Sequence, residues 1–149
     1  AFLQIGREWV ARSVVCGKPL YLAMFDIDFF KAVNDRYGHS AGDMVIREFG
    51  RMLRQSFAGD SIVARLGGEE FVCLQSGGED AAAQQALKDF LETVRGHAFL
   101  FRGKPIHITL SVGLTKLRAG QSLEGLMRSV DQALYRSKDA GRDRITVLF

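Results

Sequence analysis

The chain has 149 residues, 47% of them hydrophobic and 25% charged, enough for one domain with its own core and no need of disulfides or metal to hold it; that balance excludes a disordered chain. Its net charge of +3, from 20 Lys+Arg and 17 Asp+Glu, is too small to argue for a nucleic-acid partner. The longest apolar run is seven residues, 19–25, against the ~18 of a membrane span, and nothing resembles a signal peptide, so the expected compartment is the cytoplasm.

Apolar residues Leu3, Ile5, Val10 and Val14 predict an amphipathic helix over 2–15, ended by Gly17-Lys18-Pro19. Residues 20–25 are apolar without alternation, which fits a short strand buried on both faces. It runs straight into Asp26-Ile27-Asp28. A short helix over 29–36 closes at Gly38, and a second runs from near Ser40 to about Gln55, with Val45, Phe49, Met52 and Leu53 at helical spacing. Strands over 61–66 and 70–75 flank Gly67-Gly68, a hairpin signal. A helix over 82–94 precedes two strands, 98–101 and 106–114, around Arg102-Gly103-Lys104. The most regular helix covers 123–137 and ends before Gly141, and a last strand covers 145–149. Hairpins mixed with crossover helices predict an α+β fold: a mixed, largely antiparallel central sheet flanked by helices. No repeat or linker divides the chain, so residues 1–149 read as one domain. Cys16 and Cys73 sit among apolar neighbours and read as reduced core thiols. Three scattered histidines give no zinc spacing.

Four groups of residues could carry chemistry. Asp26 and Asp28 end a buried strand, where a carboxylate is costly unless a cation or hydrogen-bond donors offset its desolvation; the plainer reading is a cap or turn former. Glu69-Glu70 sits at the tip of the glycine hairpin, where a ligand can approach closely; the plainer reading is a turn with solvated acids. If the hairpin lies beside the first strand, Asp26 and Glu69 converge, and Mg²⁺ is commonly held by one or two carboxylates plus substrate phosphates. Asn34 and Asp43 bracket a bend between two helices and suit the edge of guanine, although Ser40-x-x-Asp43 also resembles a capping box. Lys138 and Arg142 lie where a helix ends. They read either as a phosphate-binding pair or as partners of the helix dipole. Four basic residues against two acidic ones lie between Arg136 and Arg144. Lys31 is a further cation five residues past Asp26.

Three stretches together resemble the GGDEF family of diguanylate cyclases: Asp26-Ile-Asp-Phe-Phe-Lys31-Ala-Val-Asn34 through Gly38-His39 to Gly42-Asp43; Arg65-Leu-Gly67-Gly68-Glu69-Glu70-Phe71; and Lys138-Asp-Ala-Gly141-Arg142. Their order and spacing span nearly the whole chain, and Glu at the third position of the hairpin motif makes it the GGEEF variant. The resemblance implies a palm-like, nucleotidyl-cyclase fold with a ferredoxin-like core. It also implies condensation of two GTP into cyclic di-GMP and two pyrophosphates, by metal-assisted attack of a ribose 3′-hydroxyl on an α-phosphate. By the same resemblance Asp26, Glu69 and the Ile27 carbonyl hold Mg²⁺ or Mn²⁺, and Glu69, Glu70 and Lys31 form the catalytic set. Asn34 and Asp43 read the guanine with His39 beside them. Lys138, Arg142 and the Phe29 and Phe30 backbone N–H groups meet the phosphates. The family's Arg-x-x-Asp product-inhibition site is replaced by Ala58 and Ser61. The usual Asp-x-Leu-Thr start is missing, which suggests a piece of a larger sensory protein. A two-fold product implies two sites face to face, hence a homodimer, with no nucleic-acid partner. The alternative is a non-catalytic GTP-binding regulatory module of the same family.

Overall fold

A strand with no polar residue for six positions can face water on neither side. Residues Leu20–Ile27 accordingly form β1, buried along its whole length at the centre of a five-stranded sheet. The computed structural model describes every residue from Ala1 to Phe149. Around β1 the chain folds as α1 (Phe2–Cys16), α2 (Phe30–Tyr37), α3 (His39–Ser56), β2 (Ser61–Gly67), β3 (Glu70–Ser76), α4 (Asp80–Gly96), β4 (Phe99–Phe101), β5 (Lys104–Ile106), β6 (Leu110–Lys116), α5 (Leu123–Asp139) and β7 (Arg144–Leu148). The sheet order is β2-β3-β1-β6-β7, antiparallel except for the parallel pair β6–β7, while β4 and β5 form a separate ribbon. The first four of those strands with their crossover helices make the β-α-β-β-α-β unit expected of a ferredoxin-like core. No helix is long and apolar enough to cross a membrane.

Alternation along β1 divides the core in two. Tyr21, Ala23, Phe25 and Ile27 pack with α3 and α4, where Phe25, Phe49, Phe57 and Phe90 meet at tilted or edge-to-face angles. Leu20, Leu22 and Met24 point the other way, onto α5 residues Leu126, Val130 and Leu134, with Phe2 and Trp9 of α1 beside them. Close approach on that side depends on Gly113 of β6: a Cβ there would lie 2.6 Å from the Leu134 backbone nitrogen.

Three expectations need correction. The strand expected over 106–114 is two strands, because residues 107–109 leave the β4–β5 ribbon before β6 joins the main sheet; the regular spacing of Ile106, Ile108 and Leu110 hides that change of partner. Cys73 is buried but Cys16 is exposed, in the last turn of α1, a helix whose one buried residue is Gly6. Ser40 does not cap α3. The N-cap is Gly38 at φ 92°, with no side-chain cap bond, and the same glycine closes α2.

Candidate active site

The even-numbered face of β1 is apolar up to Met24 and then presents Asp26. The register sets Asp26 opposite Glu70 of β3 on one side and Ser111 of β6 on the other. Directly opposed residues in an antiparallel pair share a face, so Glu70, rather than Glu69, is the cross-strand neighbour. Glu69 sits in the turn. Its carbonyl accepts from the Ile27 N–H at 3.4 Å, and its charge acts on Asp26. From the last turn of α5, the Lys138 ammonium forms an ion pair with the Asp26 carboxylate.

Asp26 is 6% exposed. Burial pushes its carboxyl above the usual carboxylate range; the hydrogen bond and charge of Lys138 pull it back, and the charges of Glu69 and Asp28 push it up again. Glu70 is also raised, first by burial, then by the charge of Asp26, against the pull of Lys138. One ammonium therefore faces several partly desolvated carboxylates, an imbalance that a further cation would relieve. No three His, Cys, Asp or Glu side chains are gathered as a ready-made metal cluster. Two carboxylates and a carbonyl are hard oxygen donors, and they fit a small divalent ion that takes its remaining ligands from phosphates.

Asp28 was visible in the sequence as part of the Asp-Ile-Asp run, but its partners were not. It is buried and accepts from Thr109 Oγ1 at 2.7 Å, Ser111 Oγ at 2.6 Å and the Asp143 backbone N–H at 3.0 Å. Two hydroxyls two apart, on or just before a strand, are the only signal the sequence offered. After Asp28 the chain turns sharply: Phe29 is left-handed at φ 55°, and its exposed ring lies 5.1 Å beneath the Arg142 guanidinium. Phe30 starts α2, so its N–H and those after it begin a helix whose first donors lack intrahelical acceptors.

Where α2 and α3 meet, the Asn34 amide lies against Gly42, and its Oδ1 is buried without a hydrogen-bond partner. The Phe30 ring borders the same spot. Asp43 follows Gly42 on α3, and His39 opens that helix; both are exposed, as is Lys31 in the first turn of α2. Lys31, His39 and Asp43 form no ion pair within the chain. A cavity of about 420 Å³ opens on another side of α2, lined in part by Phe29, Val33, Tyr37, Arg95 and Ile106, and none of Asp26, Glu69, Asn34 or Lys138 borders it.

Carboxylates at the end of a central strand, a cation from the crossover helix and a glycine hairpin beside them match a known arrangement. Residues 2–144 match the family model of the diguanylate cyclase GGDEF domain. The chain belongs to the GGDEF family. It is 41% identical over 138 residues to the diguanylate cyclase DgcP of Pseudomonas aeruginosa, covering 93% of this chain and 21% of DgcP. The GGDEF domain of DgcB from Caulobacter crescentus, solved in complex with c-di-GMP, superposes with a TM-score of 0.93 at 32% identity, covering 99% of this chain and 88% of that one. The active GGEEF domain of a diguanylate cyclase from Vibrio cholerae superposes at 0.90 with 28% identity, covering 98% and 93%. The chain spans only 21–35% of the length of three curated relatives it matches. The expected GGDEF fold, with its mixed sheet, is the fold observed.

Proposed function

We propose that this GGDEF domain is a diguanylate cyclase, joining two GTP molecules into cyclic di-GMP and releasing two pyrophosphates. The observation that carries the reading is the buried Asp26, opposed by Glu70 across the strand pair and ion-paired to Lys138, at the end of the central strand. Each 3′-oxygen forms a bond to the α-phosphorus of the other nucleotide while that phosphorus loses pyrophosphate. The attacking hydroxyl gives up its proton to solvent, and the electron pair of the broken P–O bond leaves with the pyrophosphate. Phosphoryl transfer of this kind needs mainly alignment and charge neutralisation.

Asp26, Glu69 and the Ile27 carbonyl would hold a divalent ion, Mg²⁺ or Mn²⁺; when bound it supplies positive charge at the phosphates and lowers the pKa of the attacking hydroxyl. Lys138, beside Asp26, supplies charge toward the phosphates, and Lys31 and Arg142 supply more from either side of the Phe29–Phe30 turn. The N–H groups of Phe29 and Phe30 suit phosphate oxygens, as helix starts do. Asn34 and Asp43 take the guanine edge, with His39 at its border; the unpartnered Asn34 Oδ1 supports a polar ligand at that groove. Glu70 shares the face of Asp26, and the charge of Asp26 adds to burial in raising the Glu70 carboxyl. A two-fold product requires two domains facing each other, so turnover requires a homodimer, and control lies in bringing two copies together. Ala58 has no charge, and the Ser61 hydroxyl is taken by the Phe57 carbonyl. Product inhibition through that position is therefore expected to be weak.

Incubation with GTP and Mg²⁺, followed by product identification, tests the reading. Cyclic di-GMP should form, and Glu69→Gln should abolish it while melting like wild type. Nucleotide binding without product would instead mark a non-catalytic GTP-binding module, and unchanged product from Glu69→Gln would remove Glu69 from the chemistry.

A further inference from the structure

The turn that presents Arg142 is held in an unfavourable backbone conformation by Asp28 of the first motif and by Arg95, which belongs to none of the sequence motifs. After α5 the chain passes Gly141 and enters β7 through two consecutive left-handed residues that are not glycine, Arg142 at φ 65° and Asp143 at φ 50°. Side chains with a Cβ disfavour this region, although Asp tolerates it better than most, and two in a row persist only where the surroundings enforce them.

Three contacts enforce them here. The Arg142 N–H donates to the Ser137 carbonyl at 2.9 Å. The Asp143 N–H donates to Asp28 Oδ2 at 3.0 Å. From the last turn of α4, the Arg95 guanidinium grips Asp143 twice, Nε to Oδ1 at 2.7 Å and Nη2 to the backbone carbonyl at 3.2 Å. Arg95 is itself braced by Glu92 at 2.6 Å. Asp28 is equally fixed, because the Thr109 and Ser111 hydroxyls occupy its two oxygens from the β6 side. The clamp thus ties α4, the end of β1 and the segment entering β6 to one residue, Asp143. Its neighbour Arg142 is thereby laid over the Phe29 ring, beside the start of α2.

We infer that Arg95 and Asp28 are positioning residues that act through Asp143 to aim the Arg142 guanidinium at the nucleotide phosphates. This rests on the cyclase reading above, in which Arg142 meets those phosphates. Neither residue needs to touch substrate. Once Arg95 is removed, Asp143 keeps only its N–H bond to Asp28, and the pair relaxes toward ordinary backbone, carrying Arg142 off Phe29.

A double-mutant cycle tests it, reading the affinity of a nonhydrolysable GTP analogue with Mg²⁺, the KM and kcat for GTP, and the melting temperature. Arg95→Met should weaken analogue binding and raise KM about tenfold, the scale of one charge-assisted contact, with a smaller change in kcat. In an Arg142→Met background the same substitution should cost nothing more. Asp143→Asn keeps an acceptor for Arg95 and tolerates the left-handed region, so it should bind like wild type, whereas Asp143→Ala should copy Arg95→Met. Should Arg95→Met melt below the assay temperature, Asp143→Ala in both backgrounds carries the same comparison. An equal loss in both backgrounds, or lowered melting with unchanged KM, would overturn the inference. If Arg142→Met weakens binding while Arg95→Met does not, the inference alone falls. If Arg142→Met has no effect, the assignment of Arg142 to the phosphates falls with it.

Discussion

Gly42→Ala probes the guanine groove with a single methyl group. A Cβ built at Gly42 would stand 1.9 Å from Asn34 Oδ1, 2.9 Å from its Cγ and 3.1 Å from Phe30 Cζ. Carbon and oxygen in contact normally keep about 3.3 Å, so the amide must retreat by roughly 1.4 Å. Asn34 sits on a helix anchored by the buried Val33, so the amide moves by side-chain rotation, out of its present place. Stability should fall by about 0–2 kcal/mol. Ala in place of Gly inside a helix gains about 1 kcal/mol, and overpacking costs about 1–3 kcal/mol. Recognition should change more. One or two hydrogen bonds to guanine at about 0.5–1.5 kcal/mol each amount to a roughly 2- to 150-fold weaker complex. Calorimetry with GTP and ATP analogues, alongside a melting curve, measures both effects. GTP should weaken by about an order of magnitude while ATP, which lacks the guanine edge, stays nearly unchanged. A folded variant with unchanged GTP affinity would refute the assignment of Asn34, and equal weakening of both nucleotides would mean the methyl merely blocks the groove.

Lys138→Met should destabilise the domain by about 1–3 kcal/mol near pH 8, below the range for a fully buried pair because Lys138 is one-third exposed. The raised Asp26 carboxyl means that the folded state binds the proton more tightly than the unfolded one. The deficit should therefore shrink as pH falls through the folded pKa of Asp26, and a deficit independent of pH in denaturant melts would contradict the pairing. Gly113→Ala should cost about 2–4 kcal/mol, because its Cβ would meet backbone atoms of α5, Leu134 N at 2.6 Å and Val130 O at 2.8 Å; a melting temperature like wild type would show that α5 can lift. Thiol titration with an aromatic disulfide should find one reactive cysteine in the native protein, the exposed Cys16, and two after unfolding, since burial pushes the Cys73 thiol up to about 12. Rapid native labelling of Cys73 would contradict its burial.

Most elements were legible because their periodicity is strong: β1 as an unbroken apolar run, α3 and α5 as stripes at helical spacing. Their ends shifted by two residues or fewer. What the sequence hid was partnership. Nothing local tells Ile106 that it pairs with Phe99, or Leu110 that it pairs with Ile27, so one strand was expected where there are two. The motif glutamates were legible as a pair, but which of them opposes Asp26 depends on register, and register is decided by the core. Arg95 was invisible for the same reason. It stands 48 residues from Asp143, in a helix that otherwise reads as ordinary amphipathic packing.

The register argument also explains why the site is where it is. On β1, Tyr21, Ala23, Phe25 and Ile27 enter the aromatic core beneath α3 and α4, and Leu20, Leu22 and Met24 enter the core beneath α5. Asp26 continues the second series, which places its carboxylate where the last turn of α5 brings Lys138. A slip of one residue would turn Asp26 into the packing of Phe49, Phe57 and Phe90 and leave Lys138 facing Phe25, because successive side chains alternate between faces. Burial of an unpaired carboxylate there is far costlier than loss of any one hydrophobic contact. The charged end of β1 therefore helps fix the register that the apolar stretch requires. Fold and candidate site are set by the same pairing of β1 with β3 and β6.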